Sequence, residues 1–332
     1  MSTIQYLTQI EFGAGVLRLL PEALQALGVR RPLLIGDRGL LAAGLVDRIC
    51  ATLPAGMKLQ RYLDTPANPT EAAVEAAAAL YRDADCDGIV AVPTTAGTGS
   101  EVGRGALLCL RDGRKLVVVS PYLLPRRAIC DPELTLSLPP ALTAGTGMDA
   151  LTHCVETFLS PRFNPPADAI ALDGAARAWR WIERAVAHPG DIQARTEMMI
   201  AGIHGGLAFQ KGLGAVHALA HPLGALTEPL LHHGTVNAVL LPAVLRFNAA
   251  HVGDKFARLA AAFGLPAAVD LPAAVSALCD RIGMPPSLRA MGVPPDAYDA
   301  VVAGALADHS LPTNPRPLDA SALRTLFHEA MG

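Results

Sequence analysis

The sequence is short of charge of either sign, of paired cysteines and of long apolar runs, and each shortage excludes a class of function. Among 332 residues, 27 Lys and Arg stand against 30 Asp and Glu, a formal net charge of −3. That leaves no electrostatic footprint for nucleic acid or an anionic membrane. No apolar run approaches the roughly 20 residues that a helical membrane span needs. The opening MSTIQYLTQIEFGAG has neither the basic start nor the apolar core of a secretory signal. Six cysteines, at 50, 86, 109, 130, 154 and 279, are scattered with no C-x-x-C pair. That spacing excludes a thiolate zinc motif and a disulfide frame, and it suits a reducing cytoplasm. H-E-x-x-H and G-x-S-x-G are absent, which argues against a zincin protease and an α/β-hydrolase. The glycines of CDGIVAVPTTAGTGSEVG, at 97, 99 and 103, match neither G-x-G-x-x-G nor a Walker A loop.

What the chain has is a large apolar complement, 51% of residues, enough for one large or two medium cores. The first 135 or so residues alternate in character. RPLLIGDRG (31–39) reads as a strand ending in a turn, and GLLAAGLVDRICATL (39–53) as a helix. KLQRYLDTPANPT (58–70) is a strand and turn. EAAVEAAAALYRDADCD is helical by its Ala, Glu and Leu content, and GIVAV (88–92) is the next strand. GALLCLRDGRKLVVVS (105–120) is a hairpin about Asp112-Gly113. Alternation of this kind predicts an α/β layer with a mainly parallel sheet. After DPELTLSLPP (131–140) the apolar period is helical almost to the end. The expectation is an α/β domain over 1–138 and an all-helical domain over 139–332, with no internal repeat.

Three segments of the helical half gather unusual polar residues. GMDALTHCVE (147–156) places Asp149 and His153 four apart, on one face of a helix. AVHALAHPLGA (215–225) repeats the spacing with His217 and His221, and LHHGTVNAVLLP (231–242) carries His232 and His233. One carboxylate with several imidazoles suits Zn(II) or Fe(II) better than Mg(II). A single such pair is also common on a solvated helix face. Three of them inside apolar sequence, where an unpaired imidazole is costly, favour a metal site.

Taken in order, IEFGAG, LLIGDRGL, ANPT, VPTTAGTGSEV, AICDPELTLSLPP, TGMDALTHCVE, LGAVHALAHPLGA, HHGTVNAVLLP and DHSLPTNPRP resemble the iron-containing (group III) alcohol dehydrogenases over nearly the whole chain. The resemblance implies a Rossmann-like α/β domain followed by an all-α domain, a dehydroquinate-synthase-like fold, with the active site in the cleft between them. It implies Asp149, His153, His217 and His233 as metal ligands and His221 as a catalytic histidine beside the substrate. It implies Asp37 as the acidic residue at the adenosine ribose, favouring NAD over NADP. Asn68, Thr94, Thr95, Gly97, Thr98, Ser100 and Lys115 fall in its cofactor-contacting positions. It further implies Fe(II), with Zn as the alternative, a small alcohol or aldehyde as substrate, a homodimer, and a cytoplasmic enzyme. His232 competes with His233 as fourth ligand, and the His-Gly context favours His233. Maleylacetate reductases and glycerol dehydrogenases share the architecture, but the Asp/His set and the wording of the motifs favour the alcohol dehydrogenase branch.

One departure matters. The family's Gly-Gly-Gly-Ser-x-x-Asp motif, which opens the helix that holds the cofactor pyrophosphate, is absent, and CDGIVAV runs straight into PTTAGTGSEV. Two strand ends read as fused into one. Parallel strands need a crossover of a dozen or more residues, so the expected loss is a strand–helix unit of the sheet, roughly 30 residues or more. The expectation is weak NAD binding, with a metal-binding but cofactor-impaired variant, or a pseudoenzyme, as the alternative to a working dehydrogenase.

Overall fold

A computed structural model describes Tyr6 and residues 8–332. These residues fall into two compact units. One holds 8–94 and 100–137; the other holds Tyr6, 95–99 and 138–332.

In the first unit the elements run β1 (Gln9–Phe12), α1 (Leu20–Leu27), β2 (Leu33–Ile35), α2 (Arg38–Ala42), α3 (Leu45–Ala51), β3 (Gln60–Tyr62), α4 (Glu71–Asp83), β4 (Gly105–Cys109), β5 (Lys115–Val119) and β6 (Arg127–Cys130). β1 pairs with β6 and β2 with β3, both parallel. β4 and β5 form the antiparallel hairpin that Asp112-Gly113 signals, with Gly113 at φ 84°. α4 forms because Ala, Glu and Leu have high helix propensity and Thr70 caps it, its Oγ1 accepting from Ala73 N–H at 3.2 Å. The helix expected over 39–53 breaks into α2 and α3 at Gly44, whose φ of 73° a helix interior does not allow.

GIVAV is not a strand. Gly88 bridges Pro32 and Ala91 bridges Ala128, both parallel, and nothing longer forms. The mainly parallel sheet expected from the sequence is therefore present as two-stranded pieces. A core of Leu17, Leu20, Leu24, Val29, Leu45, Ile129 and Leu134 packs under β6 and α1.

The second unit is helical: α5 (Pro140–Leu159), α6 (Pro165–Ala187), α7 (Ile192–Ala208), α8 (Ala215–Leu223), α9 (His233–Asn248), α10 (Lys255–Phe263), α11 (Leu271–Arg281), α12 (Tyr298–Leu306) and α13 (Ala320–Met331). Proline opens α5 and α6, where its missing N–H costs nothing and its fixed φ suits the first turn. α5 is buried from Thr143 to Leu159 with Thr146 the exception, and packs on α6, α7 and α9. Burial on every face makes it the axis of the unit.

Candidate metal centre

The site is built where α8 and the start of α9 meet the middle of α5. Gly234 makes that approach possible. A Cβ there would lie 2.0 Å from the Gly145 carbonyl oxygen of α5. Without a side chain, the N-terminus of α9 closes on α5 and carries His233 to Asp149. His232 takes a different task. As the N-cap of α9, its Nδ1 accepts from Thr235 N–H at 3.3 Å.

Three imidazoles converge on one carboxylate oxygen. Asp149 Oδ1 lies 3.4 Å from His153 Nδ1, 3.8 Å from His217 Nε2 and 3.6 Å from His233 Nε2. Asp149, His153 and His217 are buried, and the rings of His153 and His217 lie tilted by 34° with centroids 4.4 Å apart. Burial pushes the Asp149 carboxyl up, but the neighbouring imidazoles of His153, His217 and His233 hold it well below the usual carboxylate range. Burial brings His153 down to about 4, so its ring is neutral and keeps a lone pair. Burial also opposes charge on His217, yet the nearby Asp149 carboxylate and the hydrogen bond to Glu156 raise it to about 9.

Residues around these four fix them. Glu156, two turns along α5 from Asp149, accepts from His217 Nδ1 at 2.7 Å and from the Val216 and His217 N–H groups at 2.7 and 3.3 Å. The start of α8 is thereby clamped to α5, and Nε2 of His217 is left to face Asp149. Asn237 donates from Nδ2 to Asp149 Oδ1 at 2.9 Å, and the same nitrogen lies 3.4 Å from His217 Nε2 and 3.3 Å from His233 Nε2. Its Oδ1 and the Nδ1 of His153 are buried without a hydrogen-bond partner. One carboxylate oxygen and three imidazole nitrogens, of which His153 Nδ1 is buried without a hydrogen-bond partner, make a donor set that could hold a divalent metal of borderline hardness.

His221 lies beside this set, its ring 5.8 Å from that of His217 and stacked 5.7 Å from that of His233. Its Nδ1 pairs with Asp308 Oδ2 at 2.7 Å. Burial lowers His221. Burial raises Asp308, and its hydrogen bond to His221 reverses that and holds it down. An ionised Asp308 only accepts, so His221 carries its proton on Nδ1 and leaves Nε2 as the basic nitrogen.

The residues expected at the cofactor are placed as follows. Asp37, exposed after β2, caps α2, its Oδ1 accepting from Leu40 N–H at 2.8 Å. Lys115 Nζ donates to Asn68 Oδ1 at 2.8 Å, joining two of the expected residues. Thr98 Oγ1 donates to Asp149 Oδ2 at 3.2 Å, so this residue touches the metal-type cluster. Gly97 and Gly99 serve packing: a Cβ on Gly97 would meet Thr146 O at 2.9 Å, and one on Gly99 would meet Gly202 O at 2.4 Å. Thr94 is half-buried, and Thr95 and Ser100 are exposed. Glu156, Asn237 and Asp308 were not singled out from the sequence.

Comparison with known proteins decides the lineage. A model of the Fe-containing alcohol dehydrogenase family, C-terminal, matches residues 143–331, and one of iron-containing alcohol dehydrogenase matches 8–92 and 88–132. The chain belongs to the iron-containing alcohol dehydrogenase family. It is similar to the 4-hydroxybutyrate dehydrogenase of Cupriavidus necator, 46% identical over 383 positions that cover 100% of both chains. The crystal structure of a 1,3-propanediol oxidoreductase superposes with a TM-score of 0.91 at 33% identity, over 99% of this chain and 100% of that one. That of the maleylacetate reductase from Rhizobium sp. strain MTP-10005 superposes with a TM-score of 0.84 at 27% identity, over 100% and 99%. The fold is thus the family's, a Rossmann-like α/β part and an all-α part, and the chain is an oxidoreductase of alcohol dehydrogenase type. No helix among the described residues is long and apolar enough to cross a membrane.

Proposed function

We propose that Asp149, His153, His217 and His233 hold a divalent metal, Fe(II) in keeping with the family or Zn(II). The chain then interconverts a small primary alcohol and its aldehyde, exchanging hydride with NAD. The convergence of three imidazole nitrogens within 3.8 Å of Asp149 Oδ1 carries this reading. When bound, the metal supplies Lewis acidity toward the substrate oxygen, and NAD supplies or accepts the hydride.

The chain's own residues supply the rest. Glu156 fixes the tautomer and direction of His217, and Asn237 orients the Asp149 carboxylate. His221, its Nδ1 engaged by Asp308, offers Nε2 to take the alcohol proton or return it to the carbonyl. Asp37 with the Asn68–Lys115 pair, and Thr94, Thr95, Gly97, Thr98 and Ser100, contact NAD in this reading. The carboxylate of Asp37 disfavours the 2′-phosphate of NADP. The two alcohol-directed relatives are named for 4-hydroxybutyrate and 1,3-propanediol, both primary alcohols with a second polar group at the third or fourth carbon of the chain, counting the carbinol carbon as the first. We take that class as the substrate.

The test is a metal assay on the purified chain, followed by kcat/KM for 4-hydroxybutyrate, 1,3-propanediol, ethanol and maleylacetate with NAD(H) and NADP(H). Retained metal, preference for a bifunctional alcohol and loss of turnover on chelation are expected. Absence of retained metal, or turnover untouched by a chelator, overturns the proposal. A cofactor-impaired variant is the second reading, favoured by the sheet break at residues 88–92.

A further inference from the structure

Residues 88–92 are matched twice by the same family model, at the end of the 8–92 match and at the start of the 88–132 match. The alignment with the 4-hydroxybutyrate dehydrogenase runs over 383 positions and covers the whole chain, which has 332 residues, so 51 positions have no counterpart here. The same five residues serve two neighbours. Leu33 N–H donates to Gly88 O at 3.1 Å on the β2 side, and Ile129 N–H donates to Ala91 O at 2.8 Å on the β6 side. A strand seated between two parallel neighbours ladders with both along its length. This segment meets each at a single bridge, and β2–β3 and β1–β6 stay separate. Beside it, a groove of about 410 Å³ is lined by Leu33, Ile35, Val74, Ala77, Tyr81 and Ile89. Ile35, Val74 and Ile89 are 42%, 46% and 53% exposed, where water gains nothing from them.

We infer that residues 88–92 stand for two strands of the family's sheet, that a strand–helix crossover of about 50 residues between them is missing from this chain, and that the groove at Ile35, Val74 and Ile89 is the surface on which that crossover packs in full-length relatives. The cofactor half of the proposed reaction is what this weakens. In an open α/β sheet a dinucleotide sets its pyrophosphate on a helix N-terminus that follows a parallel strand. The two helices that follow β2 and β3 are closed to an anion. Asp37 caps α2 with its own carboxylate, and α4 is capped by Thr70 and begins with Glu71. Residues 88–92 lead into no α-helix before β4. The helical unit, with Asp149, His153, His217 and His233, is unaffected. The inference rests on the proposed metal-assisted reaction only for what that unit holds.

The experiment compares the full chain with a variant in which the unmatched stretch of the 4-hydroxybutyrate dehydrogenase is inserted within residues 88–92. NADH is titrated by its fluorescence, and metal content is measured in parallel. The unmodified chain is expected to bind NADH roughly a hundredfold more weakly than the insertion variant, the effect of losing about two charge-assisted hydrogen bonds to the pyrophosphate. Both should retain the same metal. Micromolar NADH affinity in the unmodified chain overturns the inference, as does a folded insertion variant that binds no better. Should the variant not fold, hydrogen exchange on the unmodified chain decides. Rapid exchange at Ile35, Ile89 and Val90 supports the inference, and protection equal to that of β1 and β6 overturns it. Failure of the metal reading shows separately, as loss of metal from both chains.

Discussion

The helical unit and the α/β unit differ in how completely their polar and apolar groups are satisfied. In the first, α5 is buried along almost its whole length, and Glu156, Asn237 and Asp308 each engage one of the expected site residues. In the second, the strands pair only two by two, and Ile35, Val74 and Ile89 face water. A donor cluster needs each side chain held by its neighbours, and the helical packing does that. A dinucleotide seat needs aligned strand ends, and the broken sheet supplies few. The difference makes the proposed metal holding and the proposed cofactor holding separable by mutation. The sharpest way to break the comparison is His217→Ala. It takes one imidazole from the cluster and leaves Glu156 without its ring partner. Complete loss of retained metal is expected, read by metal analysis after desalting, with hydrogen exchange of β1 and β6 unchanged. Retention of metal would mean that the helical cluster is not the site.

The next effect falls in the α/β unit. Burial raises Glu101 to about 7, above its ordinary 4.5. A folded-state value above the unfolded one means that the native state holds a proton which the unfolded chain has released. Stability therefore falls as pH rises from about 4.5 through 7, by up to about 3 kcal/mol. Glu101→Gln should match the parent at pH 4 and exceed it by that amount at pH 8 in denaturant melts. Parallel pH profiles for parent and variant would remove Glu101 as a source of weakness in this unit. A smaller change is expected from Glu156→Gln, which leaves the four donors intact but weakens the acceptor at His217 Nδ1. Metal affinity should fall roughly 10- to 100-fold in competition with a chelator, without a change in far-ultraviolet circular dichroism.

Much of this architecture is legible in the sequence where the signal is local. Asp149 and His153, or His217 and His221, share a face by helical period alone, and Asp112-Gly113 marks its hairpin. Glu156 was within reach of the same argument, since it lies seven residues from Asp149 and three from His153. Asn237, four residues from His233, was too. Asp308 was not, because its partner His221 is 87 residues away and only tertiary packing joins them. GIVAV was misread for a related reason. Its composition is that of a buried strand, but strand pairing depends on neighbours, and this stretch has one bridge on each side. Gly97 falls among the cofactor-contacting positions by resemblance alone, and what the sequence does not show is that its lack of a side chain, and that of Gly99, lets the loop lie against Thr146 and α7.

Thr98 tests where the division between the units runs functionally. Expected at the cofactor, it belongs by contacts to the helical unit, and its hydroxyl donates to Asp149 Oδ2, the oxygen that Asn237 does not engage. Thr98→Val keeps the shape and deletes that hydrogen bond. If the loop of residues 95–99 acts as part of the metal cluster, Asp149 loses one of two fixed orientations, worth about 1 kcal/mol, or roughly fivefold in metal affinity. NADH affinity should then hardly move. If the loop acts through the cofactor, the order reverses: metal affinity stays and NADH binding weakens. Measuring both constants on one variant therefore assigns the loop to one half of the reaction, and a change in neither would leave Thr98 a packing residue like its two glycine neighbours.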